Sequence, residues 1–336
     1  MTLISLIISK IENIKKIKYA YILILLAAAA VISSGLSGCS SQIEGTKTEE
    51  KAYTGVSYVD AGITTNGVSM YYTRMKGSDS NIFLRDIAGT VETALTYDSN
   101  ENMCVRGCSF GSNFLYSSNK SGAFRVYKIT FENTTPVDLL GNPSYDFLDA
   151  AYSKNGQFVV LSAIDRADAN YSQICMADAD GKNFKIITST ETLKRKPTVS
   201  ADNNFVMFQK KVNGYWGLYY VDLSAGDKVE KEYLAESNMD AFDPEFMASS
   251  AQSASGVEEV IYMHGRAGSS ARMERAYPST KAVSVVRDFS SYNYFSQPAV
   301  SNDGKTILFL QRTLSASRFD IWKTTKTGVT LTQLTK

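Results

Sequence analysis

Histidine and cysteine, the usual ligands of catalytic metals, are scarce in this chain. It contains one histidine, His264, and four cysteines among 336 residues, whereas zinc sites are built from clusters of these two residue types. An isolated histidine is more often a packing residue than a general base. Gly107-Cys108-Ser109-Phe110-Gly111 fits the Gly-x-Ser-x-Gly pattern, but no helical pattern indicates the α/β domain in which such a turn carries the nucleophile of α/β-hydrolases. We therefore expect no enzymatic activity, no metal site and no cofactor.

The chain also has no marked excess of positive or negative charge. The chain has 35 Lys and Arg against 34 Asp and Glu, a formal net charge of +1. Removal of the first 38 residues leaves 31 basic and 33 acidic residues, or −2. A nucleic-acid-binding domain is typically strongly basic, so a nucleic-acid partner is not expected.

Residues 1–38 have the three parts of a secretory signal peptide, which is predicted to be helical. Lys10, Lys15, Lys16 and Lys18 form the positive region, residues 19–32 are apolar, and residues 33–38 are small. The apolar run of about 14 residues is shorter than the roughly 20 that a membrane-spanning helix needs. We interpret the segment as a cleaved leader rather than a permanent membrane span.

The leader ends in Leu36-Ser37-Gly38-Cys39, which resembles the bacterial lipobox. This resemblance implies that the thiol of Cys39 receives a diacylglyceryl group and that palmitate or a similar acyl chain holds the protein on a membrane. Residues 39–52 are polar and predict a flexible tether. Ser40 does not resemble the Asp retention signal, so we expect anchoring in the outer membrane with the protein facing the periplasm.

Residues 53–336 have the pattern of an all-β domain. Short runs rich in β-branched and aromatic residues are separated by Gly, Asn, Asp and Ser, without a helical apolar stripe. A pair made of an apolar residue and, in most copies, an aromatic residue recurs six times at intervals of about 44 to 55 residues. This spacing is typical of propeller blades. The six pairs are Ile82-Phe83, Val126-Tyr127, Ile174-Cys175, Leu218-Tyr219, Met273-Glu274 and Ile321-Trp322.

A second column of continuous apolar runs precedes these pairs, often after a tight turn. Asn155-Gly156 leads into residues 158–161, and Asp303-Gly304 leads into residues 307–310. Asn-Gly and Asp-Gly provide the positive φ values that tight hairpins need. The runs are continuous because the middle strands of a blade are covered on both faces by the neighbouring blades. Together the two columns predict a six-bladed β-propeller of four-stranded antiparallel blades.

Residues 298–309 (PAVSNDGKTILF) resemble the P-x-x-S-x-D-G-K-x-I-x-F repeat of TolB-like propellers, and residues 151–161 and 197–208 are weaker copies. The resemblance extends over roughly residues 56–336 and implies a six-bladed propeller. The α/β domain that precedes the propeller in TolB has no counterpart here, and blade five carries a Ser/Ala-rich insertion at residues 248–255. We expect a lipoprotein of the TolB-like type that is not TolB itself.

In such a blade the loops between blades open on the same face as the hairpins between second and third strands. The inter-blade loops are predicted to be acidic and aromatic, and the hairpins mostly basic. Aromatic residues and Arg carry much of the binding energy at protein interfaces, so this face is the predicted binding face. The predicted contact residues are Tyr97, Tyr145, Asp146, Asp149, Phe242, Asp243, Tyr292, Tyr294 and Trp216.

Three cysteines remain beside Cys39. A disulfide between Cys104 and Cys108 is open to an exported chain, provided that a turn at Gly107 brings the two together. Cys175 occupies an aromatic position of the repeat and is predicted to be buried.

The function that these features favour is a non-catalytic envelope scaffold that binds a protein or a cell-wall component through one propeller face. The alternative is a carbohydrate-binding or polysaccharide-processing protein that uses the central funnel, for which the 20 tyrosines offer stacking surfaces. A purely structural subunit is a third interpretation.

Overall fold

The computed structural model describes residues 56–64, 66–107, 112–142, 144–247, 259–266, 271–277, 282–288, 293–313 and 318–335. These residues form six separate four-stranded antiparallel sheets. The predicted all-β six-bladed propeller is therefore confirmed. The leader, Cys39 and the tether, the insertion at 248–255, Cys108 and Tyr292 lie outside the described residues.

Each blade is built from four strands that are consecutive in sequence, numbered from the central axis outward. Blade 1 holds β1 (Val56–Ile63), β2 (Ser69–Lys76), β3 (Asp79–Asp86) and β4 (Glu92–Ala94). Blade 2 holds β5 (Asn102–Gly107), β6 (Asn113–Ser118), β7 (Arg125–Thr130) and β8 (Val137–Asp138). Blade 3 holds β9 (Tyr145–Tyr152), β10 (Phe158–Asp165), β11 (Ser172–Asp178) and β12 (Lys185–Ile186).

The second half of the ring repeats this plan. Blade 4 holds β13 (Lys194–Val199), β14 (Phe205–Val212), β15 (Tyr215–Asp222) and β16 (Lys231–Leu234), with a single 3-10 turn at Leu223–Ala225. Blade 5 holds β17 (Asp240–Phe246), β18 (Val260–Gly265), β19 (Ala271–Ala276) and β20 (Val283–Arg287). Blade 6 holds β21 (Asn293–Val300), β22 (Thr306–Thr313), β23 (Asp320–Thr325) and β24 (Leu331–Gln333).

The two repeated columns of the sequence correspond to the two middle strands of every blade. The continuous apolar runs form the second strands, such as β10, and the recurrent pairs lie in the third strands, such as β11. Val159, Val160 and Leu161 of β10 are all fully buried. Successive strand residues point to opposite faces, so burial of all three requires a covering blade on each side.

The ring closes between blade 6 and blade 1 without an exchanged strand, since each sheet uses only its own four strands. One apolar cluster crosses this seam and includes Tyr58 and Met70 of blade 1 with Leu308 and Ile321 of blade 6. The Tyr58 backbone N–H donates to the Phe319 carbonyl oxygen at 3.2 Å. Side-chain packing and a few hydrogen bonds thus replace the shared sheet as the closing contact.

Two faces of the ring need names. The chain enters each blade on the face that carries the inter-blade loops and the hairpins between second and third strands, which we call the entry face. The opposite face carries the turns between first and second strands, such as Asn155-Gly156, and the turns between third and fourth strands, such as residues 326–330. We call it the turn face.

Replacement of Leu308 by Ala tests the closing contact. Leu308 is fully buried in the seam cluster, so the substitution is expected to lower the free energy of unfolding by about 2 to 5 kcal/mol. Urea unfolding followed by circular dichroism measures the change. Val329→Ala is the control, because Val329 is 81% exposed. Equal stability of the two variants would contradict packing as the closing force.

Candidate functional site

The six innermost strands share a bulge at the same level of the channel. Their pairing with the second strands shifts once in each blade, for example between Tyr58 and Asp60 and between Phe242 and Glu245. Five of the six place a non-glycine residue at positive φ there: Cys104, Asp149, Lys196, Asp243 and Gln297. A bulge redirects its side chain away from the regular alternation. Here it turns polar groups toward the neighbouring blade and the axis.

Three buried aspartates from alternate blades tie this level together. Asp60 of blade 1 accepts from the Cys104 N–H at 2.5 Å. Asp149 of blade 3 accepts from the Lys196 N–H at 3.3 Å, and Asp243 of blade 5 accepts from the Gln297 N–H at 2.9 Å. Each carboxylate therefore crosses to the bulge of the next blade. We call Asp60, Asp149 and Asp243 the axial aspartates.

The axial aspartates differ in their ionisation. Burial alone would raise the pKa of Asp149, but the Arg195 guanidinium at 2.5 Å and the Lys196 ammonium at 3.3 Å outweigh it and hold this pKa well below its usual range. Burial raises the pKa of Asp60 and of Asp243, and the more distant Lys196 charge only partly offsets it. Asp149 is the one axial aspartate whose negative charge is strongly stabilised.

A second set of contacts joins neighbouring blades at the entry face. Side-chain oxygens at strand ends accept from backbone N–H groups across the seams: Ser57 from Phe319 (3.1 Å), Ser80 from Asn102 (2.8 Å), Asp146 from Phe124 (2.9 Å), Ser172 from Lys194 (2.7 Å) and Asp240 from Trp216 (2.8 Å). These hydrogen bonds satisfy strand-end donors and fix the angle between blades.

Sequence reasoning placed Asp149, Phe242 and Asp243 in the inter-blade loops of the predicted binding face. The structure instead places Asp149 in the middle of β9 and the other two in β17, at 5%, 7% and 4% exposure. The bulge draws the two aspartates toward the axis, and Phe242 packs in an apolar cluster with Ile261 and Phe309. These side chains stabilise the ring and do not reach the outer surface.

The remaining predicted contact residues lie at the entry face in different environments. Tyr97 is 78% exposed. Tyr145 is half-buried with its ring 6.0 Å from that of Phe147, and Asp146 is a seam acceptor that also lies 3.9 Å from Arg166. Trp216 is half-buried at the start of β15. Tyr294 lies in β21 and pairs along the backbone with Arg312.

His264 belongs to a buried ionic cluster near the entry face of blade 5. Its Nδ1 lies 3.0 Å from Glu274 and its Nε2 lies 3.4 Å from Glu236. Tyr262 donates to Glu274 at 2.8 Å, and Arg272 lies 2.5 Å from the same carboxylate. The hydrogen bond to Glu274 raises the pKa of His264 above its usual value. The predicted packing role of this histidine fits its 7% exposure.

Cys104 is disulfide-bonded. Cys108, the partner that the sequence analysis left open, lies outside the described residues. Cys175 is free and buried, as predicted, and burial raises the pKa of its thiol to about 12.

A small cavity opens on the turn face at the axis, with a volume of about 60 Å³. It has room for a few water molecules or for one small polar group. Residues from all six blades line it, and the charged ones are Arg106, Lys154 and Glu245. Lys154 donates to one oxygen of Glu245 at 3.3 Å, and the Thr198 hydroxyl donates to the other at 3.4 Å.

Sequence reasoning missed the residues that organise the channel, notably Asp60, Arg106 and Lys196. A detectable signal existed: the axial aspartates recur about every 90 residues, a period of two blades, at the same place in the inner strands. The intervening blades carry Cys104, Lys196 and Gln297 at the matching positions. The propeller is thus arranged as three pairs of blades.

Comparison with solved structures gives the fold a context. A TolB candidate from Agrobacterium tumefaciens matches with a TM-score of 0.60 at 13% identity, over 73% of this chain and 84% of that one. TolB from Acinetobacter baumannii matches with a TM-score of 0.61 at 13% identity, over 84% of this chain and 63% of that one. The chain has the TolB-type propeller fold. It spans less than two thirds of the Acinetobacter protein.

An enzyme shares the same shape. Oligogalacturonate lyase from Vibrio parahaemolyticus matches with a TM-score of 0.57 at 11% identity, over 84% of this chain and 80% of that one. No family model and no curated protein matches the sequence. At these identities the likeness concerns the fold alone.

The described part of the chain lacks two features. It contains no group of three or more His, Cys, Asp or Glu side chains placed to hold a metal ion. Nor does any helix there have the length and apolarity needed to cross a membrane.

Replacement of Asp149 by Asn tests the axial hydrogen bonds. Loss of its charge leaves Arg195 and Lys196 without a counter-ion in a buried site, so the free energy of unfolding is expected to fall by about 3 to 5 kcal/mol. Urea unfolding measures the change. Asp180→Asn removes an exposed ion pair with Lys182 and is expected to leave the free energy of unfolding almost unchanged. A loss in Asp149→Asn as small as in this control would contradict the assigned role.

The His264 cluster predicts a pH dependence of stability. Because folding raises the pKa of His264, its contribution is fully present below about pH 6.5 and is lost as the pH rises through the folded-state value. His264→Gln is therefore expected to destabilise the protein more at about pH 6 than at about pH 9, as measured by urea unfolding at both values. A pH-independent difference would show that the histidine acts only by packing.

Proposed function

We propose that the protein is a lipid-anchored, non-catalytic scaffold of the bacterial envelope that holds a protein or cell-wall partner against its entry face. The observation that supports this proposal is the structural role of the axial carboxylates. All three accept hydrogen bonds that join neighbouring blades, so these acids serve the ring instead of a reaction. A rigid ring of this kind loses little conformational entropy when it binds, which favours affinity.

The entry face offers suitable contact groups. Tyr97 is the most exposed aromatic side chain among the described residues, and the side chains of Arg166 and Arg318 are 46% and 38% exposed. Tyrosine and arginine are enriched at the centres of protein interfaces because they bury large areas and donate hydrogen bonds. Acidic neighbours such as Asp146 give the face both signs of charge, which supports specificity more than affinity.

The anchor is consistent with this orientation. In the proposal Cys39 carries the lipid and residues 39–52 form the tether that precedes β1. Because β1 begins at the entry face, a tether attached there turns this face toward the membrane. A partner embedded in the membrane, or lying between it and the propeller, then meets the entry face first.

The shared fold with oligogalacturonate lyase favours the second candidate, a carbohydrate-binding or polysaccharide-processing protein that uses the channel. The axial cavity of about 60 Å³ accommodates only a small group, so a sugar would have to rest at its mouth. A glycan array tests this candidate directly.

The entry-face proposal is tested by in-cell photocrosslinking of the full chain with a crosslinking amino acid at position 97. The same amino acid at position 329 is the matched control, because Val329 is equally exposed but lies on the turn face. We expect a discrete crosslinked partner from position 97 only. Tyr97→Ala is expected to weaken capture of that partner about tenfold, as for an interface hot spot.

Two further outcomes decide against the proposal. Equal crosslinking from both positions would rule out the entry face as the specific contact surface. A Cys39→Ser variant separates anchoring from recognition: if the purified variant still binds the identified partner, recognition lies in the propeller, and if it does not, the face is not sufficient for binding.

A further inference from the structure

The axial cavity on the turn face contains an arginine that has no hydrogen-bond or salt-bridge partner among the described residues. Arg106 lies at the end of β5, directly after the bulge of blade 2, and lines the cavity. Its guanidinium makes neither a salt bridge nor a hydrogen bond with any residue that the structure describes; acidic groups act on it only at longer range. A guanidinium has five N–H donors in a planar fork. A half-buried guanidinium that lines a cavity can therefore donate several hydrogen bonds to a ligand.

The acids nearest to Arg106 are already occupied by other donors. Glu245 is held by Lys154 and Thr198, one on each carboxylate oxygen. Asp149 is held by Arg195 and Lys196, and Asp60 by the Cys104 N–H. The carboxylates nearest to Arg106 are thus hydrogen-bonded to other residues.

The charges that line the cavity leave a positive balance. Arg106 and Lys154 stand against Glu245 alone. The deeper axial level adds no further charge to the lining: Arg195 and Lys196 pair with Asp149, and Asp60 and Asp243 accept hydrogen bonds from backbone N–H groups of the neighbouring blades. In a site of low dielectric, the N–H donors of a charged guanidinium favour an anionic ligand.

We propose that the axial cavity of the turn face is a carboxylate-binding site in which Arg106 is the principal recognition residue. A carboxylate matches the guanidinium fork with two parallel hydrogen bonds, which gives both affinity and orientation. The volume of about 60 Å³ admits the carboxylate and little more. The rest of the ligand therefore projects from the cavity onto the turn face.

This site is separate from the entry face and does not depend on the proposed function. The two lie at opposite ends of the channel with the axial aspartates between them, so a ligand at one end does not contact the other. A partner on the entry face and a carboxylate on the turn face can be present together.

Isothermal titration of the full-length protein in detergent tests the proposal, with acetate as the bare carboxylate and chloride as the reference anion. Acetate is expected to bind at one site, and chloride is not expected to compete at equal concentration. Arg106→Gln is expected to weaken acetate binding at least tenfold. Arg166→Gln, which removes an arginine of the entry face, is expected to leave it unchanged.

A second variant guards against misfolding of Arg106→Gln. Glu245→Gln removes the only negative charge of the cavity lining and is expected to strengthen acetate binding several-fold. Absence of acetate binding to the wild-type protein, equal binding by the Arg106 and Arg166 variants, or weaker binding by Glu245→Gln would each overturn the proposal.

Two matched pairs of probes identify the source of the carboxylate once acetate binds. Acetyl-glycyl-glycine is compared with its C-terminal amide, and glucuronate with glucose. Tighter binding of the free peptide acid than of acetate points to a chain terminus, and tighter binding of glucuronate points to an acidic sugar. If neither exceeds acetate, the site recognises the carboxylate alone.

Discussion

The structure depends on burial of both faces of every sheet. Middle strands such as β10 are apolar on both sides, and a single four-stranded sheet cannot hide these surfaces from water. Stacking six sheets around an axis covers all of them, and the same packing closes the seam between blades 6 and 1. Because no strand is exchanged at that seam, the hydrophobic contact is the main force that keeps the ring closed.

The buried polar groups of the ring fix the angle between neighbouring blades more narrowly than packing does. Packing alone tolerates small rotations of one sheet against the next, whereas a hydrogen bond from a buried carboxylate to a backbone N–H has a narrow range of geometry. The axial aspartates and the seam acceptors such as Ser57 and Asp146 impose this geometry at two levels of the channel. Their arrangement by pairs of blades indicates that two blades, and not one, form the structural unit of the inner ring.

The two ends of the channel differ in chemistry. The entry face combines an exposed tyrosine with basic and acidic side chains that are mostly engaged with each other, as at Asp146 and Arg166. The turn face has a narrow cavity with one arginine that no described residue pairs with directly. In our two proposals a large partner binds at one end and a small acidic group at the other, with the ring between them.

The sequence by itself determined the number of blades, the identity of their middle strands and the burial of Cys175, since continuous apolar runs and Asn-Gly or Asp-Gly turns act locally and repeat along the chain. Only the tertiary structure decided the roles of Asp149 and Asp243, which resemble loop residues in the sequence and prove to be buried ring contacts. It also decided that Arg106 lines the same cavity as Glu245, a residue well over a hundred positions away. The physical reason is that hydrophobic patterning acts over a few residues, whereas the partners of a buried charge come from distant strands that meet only when the ring closes.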